Sequence, residues 1–254
     1  MIGVRATWLL TVRALRESLR QPANEVANAF IPLFFYVVTV GAVGSVAREA
    51  FGVSDYKGFQ LPVAVLQGAA GVASGAGLAM TVDIQSGYFE KLALTSAPRL
   101  ALALGRILAD AVKAVVLAVL ILALALLYGS GFETGLPGMA VLLLATFGFA
   151  LAYSGIGVAI ALKTGSPQAA QAGFIIFFPL LFLAPTFAPI EIFATWLEVI
   201  ARMNPVTYVL VGMRTLVTDG WDWPALLKGG AATAGIGALT LSLTVLALRG
   251  RVQQ

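Results

Sequence analysis

Arg106, Asp110 and Lys113 stand four and three residues apart in a stretch that is otherwise apolar. On a helix this spacing places the three on one side, within reach of one another. Charges inside an apolar helix are costly and are usually kept in pairs. Two readings are open: a charge relay leading into a pore, or an ion-pair ladder near the lipid headgroups. The shallow position, at the start of its apolar run, favours the ladder. Other chemistry is excluded by residue type. The chain has no cysteine and no histidine, which removes thiolate catalysis, zinc–thiolate and iron–sulfur sites, and any Ser–His dyad. It contains no Gly-x-Ser-x-Gly elbow and no phosphate loop, since the nearest segment, from Gly157, lacks the glycine before Lys163. No catalytic, cofactor-binding or metal-ligating residue is expected in this chain.

Just upstream lies the other polar interruption, "DIQSGYFEKLALTSAPRLALALGR", residues 83–106. Gly87 allows a sharp entry. Tyr88, Phe89, Leu92 and Ala93 then form a short one-sided helical stripe, with Glu90 and Lys91 beside it. Thr95-Ser96-Ala97-Pro98 reads as a stop followed by a new helix start, with Ser96 or Ala97 as cap and Pro98 in the first turn before Arg99. A short surface helix over 86–96 is therefore expected. It can be a docking knob for a soluble partner or a plain amphipathic connector, and the spacing does not choose between them.

The elements that must position these residues are membrane helices. Of the 254 residues, 59% are hydrophobic and 11% charged, against about 25% charged in a soluble domain. Uncharged runs cover 26–47, 58–82, 114–132, 134–162, 164–190 and 229–248, each long enough to cross about 30 Å of hydrocarbon as helix. The third is expected to begin near Ile107. An all-α membrane protein of six spans follows, as one domain over 1–254, with membrane lipid as its solvent. The net charge of +4 then reports sidedness and not a nucleic-acid partner. Outside the spans, ten Lys and Arg fall on one face and five (Arg48, Lys57, Arg202, Arg214, Lys228) on the other. The richer face carries both termini, so these are expected in the cytoplasm.

Within residues 1–25, Val4, Trp8, Val12, Leu15 and Leu19 give one apolar stripe that Pro22 ends, expected as a helix lying at the cytoplasmic interface. Between the last two spans, over 191–217, two short external re-entrant helices dipping into the outer leaflet are expected, and Phe193, Trp196, Leu197 and Ile200 mark the first. Asn204-Pro205 then supplies an N-cap and first-turn proline for a second. Arg214 is expected near the C-terminal end of this second helix, facing its dipole, and Tyr208 is expected to present its ring to neighbours. Phe174, Phe177, Phe178 and Phe182 share a face of the fifth span, as packing or as an apolar substrate wall. Pro179, Pro185 and Pro189 imply that the outer end of that span is kinked or unwound. Gly68, Gly71, Gly75 and Gly77 mark close helix packing in the second.

On these residues the chain resembles the membrane subunits of type-2 ATP-binding-cassette (ABC) exporters. "SGYFEKLALTSAPRLALALGR" is similar to the segment after their second span. "FPLLFLAPTFAPIEIFATWLEVIARMNPVTYVLVGMR" is similar to their fifth span, external connector and Asn-Pro-x-x-Tyr segment. The likeness is nearest to the daunorubicin-resistance type of drug-efflux permease. It implies that 86–96 is a coupling helix seated on a cytoplasmic ATPase subunit, with Gly87, Tyr88, Phe89, Glu90 and Lys91 in the element and Ser96, Pro98 and Arg99 shaping its exit. It implies ATP and Mg in the partner subunit, a second copy of the permease as homodimer, and the inner membrane of a bacterial cell. It makes Asn204, Pro205, Tyr208 and Arg214 an external gate and brings the Phe174–Phe182 face near the dimer interface. The implied function is ATP-driven export of an amphiphile such as a drug, antibiotic or lipid, as in multidrug efflux and antibiotic resistance. Polysaccharide or lipid-linked glycan export is the alternative within the class, and an ATP-independent channel or secondary transporter the alternative outside it.

Overall fold

A computed structural model describes residues 2–20, 22–94 and 98–251, which are helical with short connections. In chain order the helices are α1 (Ile2–Leu19), α2 (Pro22–Val43), α3 (Ala47–Phe51), α4 (Tyr56–Gln85), α5 (Tyr88–Ala93), α6 (Arg99–Leu127), α7 (Gly135–Thr164) and α8 (Pro167–Phe182). After a 3₁₀ turn at Ile190–Ile192 come α9 (Thr195–Met203), α10 (Pro205–Thr218) and α11 (Trp223–Arg251). Among the described residues, α2, α4, α6, α7 and α11 are long and apolar enough to cross a membrane. The protein is multi-pass.

The fifth expected span is where sequence and structure differ. The uncharged run 164–190 forms a helix only from Pro167 to Phe182, about 24 Å at 1.5 Å per residue, short of about 30 Å of hydrocarbon. Beyond it Pro185 and Pro189 have no N–H to continue the ladder. The chain turns back there: Thr186 donates its hydroxyl to the Leu181 carbonyl, and Tyr56 on α4 donates to the Phe187 carbonyl at 3.1 Å. The unwound outer end read from the prolines is present. Boundaries also shift at α6, which starts at Arg99, not near Ile107, at α11, which starts at Trp223, ahead of the run from 229, and at α2, which ends at Val43. The five-residue α3, closed by Gly52 in the left-handed conformation, has no counterpart among the expected elements.

Helix α4 is the centre of the bundle, packed on α2, α6, α7, α8 and α10. Its 30 residues extend about 45 Å, with α10 against its beginning and α5 at its end. Close approach depends on absent side chains, as is usual where lipid offers no hydrophobic contrast. A β-carbon on Gly77 would stand 2.6 Å from the carbonyl carbon of Gly157 on α7, and one on Gly68 would stand 3.0 Å from Leu117 on α6. By contrast, α2 and α11 leave most of their apolar surface outward.

Candidate functional site

At the far end of α4 the chain must reverse. Gly87 does so at φ +69, a backbone conformation that costs a side-chain-bearing residue strain, and α5 follows. Phe89 is buried with Met80, Ile84, Leu102 and Ile107 and seats the short helix. Glu90 and Lys91 face outward. The guanidinium of Arg13, on α1, lies 3.8 Å over the Tyr88 ring, a cation–π contact. Arg13 also reaches Asp83, the last acidic residue of α4, at 3.6 Å. Pro98 stands immediately before α6, whose first residue is Arg99. Ser96 lies outside the described residues.

The charges of α6 divide into two clusters. Arg106, 8% exposed, donates Nε and Nη2 to Asp83 at 3.0 and 2.7 Å and Nη1 to Glu17 of α1 at 2.9 Å. It therefore pairs away from Asp110 and fastens α1, α4 and α6 together. Two turns deeper, Lys113 sits 2.7 Å from Asp110 Oδ1 and 3.5 Å from Glu25 of α2, and Glu25 also accepts the Ser18 hydroxyl of α1. The ladder expected along one helix is instead a set of ties between four. Glu17 and Glu25 escaped sequence reasoning because no periodicity on α6 points to a carboxylate elsewhere in the chain. The i, i+4 pair Arg13 and Glu17, 4.0 Å apart, was the available signal.

Helix α1 meets the bundle through a different face from its apolar stripe. Thr11 and Ala14 are buried, whereas Val4, Trp8 and Leu19 are exposed. Contact with α6 is close enough that a β-carbon on Gly105 would stand 2.7 Å from Leu10 Cβ. The outward stripe is left for an apolar environment, as an interfacial helix requires.

Between α1, α2, α4, α6 and α8 lies a cavity of about 480 Å³, bordered by Arg106, Asp110, Lys113, Glu17, Glu25, Gln67 and Phe174 among others. Gly71 and Gly75 face it, so the glycine stripe of α4 serves packing at Gly68 and Gly77 and leaves open space between. The α8 phenylalanines also part company. Phe177 is fully buried against Phe149 and Tyr153. Phe174, Phe178, Phe182 and Phe187 form a chain of ring contacts, from 4.9 to 6.4 Å between centroids, along the other side of α8.

At the opposite end, Asn204 caps α10 by accepting from the Val206 amide at 3.0 Å, and its amide donates to the Leu180 carbonyl of α8. Pro205 takes the first turn. The Tyr208 hydroxyl donates to the Arg202 carbonyl at 2.6 Å, holding α9 to α10. Helix α10 packs chiefly on α11 and α4 and only slightly on α8. Arg214 is not in the last turn of α10. Its buried guanidinium donates to the Phe59 carbonyl at 3.1 Å and lies 3.5 Å from the Phe59 ring centroid, so it serves α4 and not the dipole of its own helix.

Among the described residues no group of acidic side chains could hold a metal ion. Comparison with known families matches residues 5–217 to the family described as ABC-2 type transporter. No curated protein matches the chain.

Proposed function

The chain belongs to the ABC-2 type transporter membrane family and is thus a transmembrane subunit of an ABC transporter; on that premise we propose that it exports an amphiphile, drug or lipid-like, from the bacterial cell. ATP and Mg are bound and hydrolysed by a separate cytoplasmic ATPase subunit, and two copies of the chain enclose the path. The termini and α5 lie in the cytoplasm of a cell whose inner membrane holds the complex, following the distribution of Lys and Arg. The observation that carries the reading is the build of α5. It is a six-residue helix, entered through a left-handed glycine, anchored inward by Phe89 and presenting Glu90 and Lys91 outward. Arg13 of α1 lies over its Tyr88 ring and also meets Asp83 at the end of α4, which Arg106 joins to α6. These contacts offer a push on α5 a route into α1, α4 and α6.

The test is co-expression with a cytoplasmic ABC ATPase from the same source, followed by co-purification. A stable complex whose ATP hydrolysis rises with an amphiphile, and loses that rise in Glu90→Arg/Lys91→Glu while membrane insertion is retained, supports the reading. Absence of any ATPase in the purified material, or normal stimulation in the double variant, defeats it.

A further inference from the structure

The ion ties leave two buried acceptors in the cavity unused. Asp110 is 3% exposed; its Oδ1 meets Lys113, and the Ala76 amide lies near the carboxylate. Oδ2 nevertheless makes no hydrogen bond among the described residues. Gln67, on α4 and equally buried, leaves its Oε1 unpartnered in the same way. Both line the cavity. The two cations beside them are already engaged, Arg106 by Asp83 and Glu17, Lys113 by Asp110 and Glu25. The lining holds three carboxylates, Glu17, Glu25 and Asp110, against those two cations. Unmet acceptors in a site of negative balance are complementary to a donor that carries positive charge.

The remaining walls are apolar. Phe174 borders the Gly71 side at ring-contact distance, and a β-carbon on Gly75 would come within 3.4 Å of Asp110 Oδ2, so glycine keeps the approach to the carboxylate clear. Ile31, Leu78, Val82 and Ile175 line the cavity and are exposed, which opens it sideways onto the apolar surface of the bundle. Its volume falls among those of small-molecule sites, roughly 300–1,000 Å³.

We propose that this cavity binds an amphiphilic amine, with Asp110 Oδ2 accepting its ammonium N–H beside Gly75, Gln67 Oε1, about 12 Å along α4 from there, accepting a second N–H donor of the ligand, and Phe174 and Ile175 holding its apolar part. The proposal rests on the exporter reading for the fate of the ligand and narrows the substrate class to amines, but binding itself requires no ATPase.

The test therefore uses the full-length chain alone in lipid nanodiscs, with dansylcadaverine as probe. N-acetyl-dansylcadaverine and dansylaminoundecanoic acid serve as the neutral and anionic counterparts. Saturable binding of the amine is expected, on the order of tenfold tighter than either counterpart, the scale of one charged hydrogen-bonded contact. Asp110→Asn is expected to remove that preference, and Gln67→Leu to weaken amine binding several-fold with the preference over the anion retained. Equal affinity for amine and acetylated probe, or unchanged amine binding in a monodisperse Asp110→Asn protein, overturns the site. If Asp110→Asn does not yield monodisperse protein, Gln67→Leu decides: wild-type affinity there overturns it as well. Asp110-dependent binding without any co-purifying ATPase would leave the site standing and remove the exporter reading. The converse result would do the reverse.

Discussion

Replacing Arg106 by Met removes the charge that holds α1, α4 and α6 together and keeps most of the side-chain volume. The consequences for its two partners differ. The Asp83 side chain is 12% exposed and the Glu17 side chain 37%, so Asp83 is left as a nearly buried carboxylate with only the more distant Arg13 beside it, while Glu17 can turn to water. Breaking a buried pair from one side costs about 3–5 kcal/mol, whereas a partly exposed pair contributes about 0–1 kcal/mol. Arg13, 3.6 Å from Asp83, compensates in part, which places Arg106→Met near the lower figure. Glu17→Gln should then cost less than about 1 kcal/mol. The double variant Arg106→Met/Asp83→Leu has no orphaned charge and should recover most of the loss. Unfolding of purified protein in mixed micelles against increasing SDS fraction, followed by helicity, reads the three differences directly. Equal losses for Glu17→Gln and Arg106→Met would refute the assignment of the cost to Asp83. A double variant no more stable than Arg106→Met would refute the burial argument itself.

Three further outcomes are expected. Gly77→Val should sharply reduce folded yield, because its β-carbon would meet the Gly157 backbone at 2.6 Å, whereas Gly235→Ala, where nothing lies within 4 Å, should leave yield unchanged; size-exclusion profiles of detergent extracts compare them. Thiol labels at Asp55 and Asp222 should react from outside intact cells, and labels at Ser96 and Gln254 only after permeabilisation; an exchange between the groups would reverse the orientation taken from the charge asymmetry. Pro205→Ala and Tyr208→Ala should lower efflux per monodisperse molecule, since proline sets the first turn of α10 and the tyrosine hydroxyl ties it to α9. Efflux per molecule equal to wild type in both would make the segment a cap and not a gate.

Features that depend on neighbours along the chain are legible in the amino-acid sequence. Uncharged runs fix where helices can cross lipid, because an unpaired backbone has no partner there. Gly87 and the stripe around Phe89 locate α5, and Asn204-Pro205 locates the start of α10, since turn and cap chemistry acts over three or four residues. Even the early end of α8 is signalled by prolines that cannot continue a helix. Partner choice is not legible in this way. Arg106 and Asp110 are spaced to pair, yet Arg106 turns to Asp83 and Glu17, and Arg214 serves the Phe59 carbonyl and not its own helix end. Four similar glycines on α4 divide between helix contact and open cavity. These outcomes belong to the tertiary structure because a side chain's environment inside a bundle is set by which helices lie beside it. Residues such as Glu17 and Arg106, 89 positions apart, become neighbours only after α1 has packed on α6.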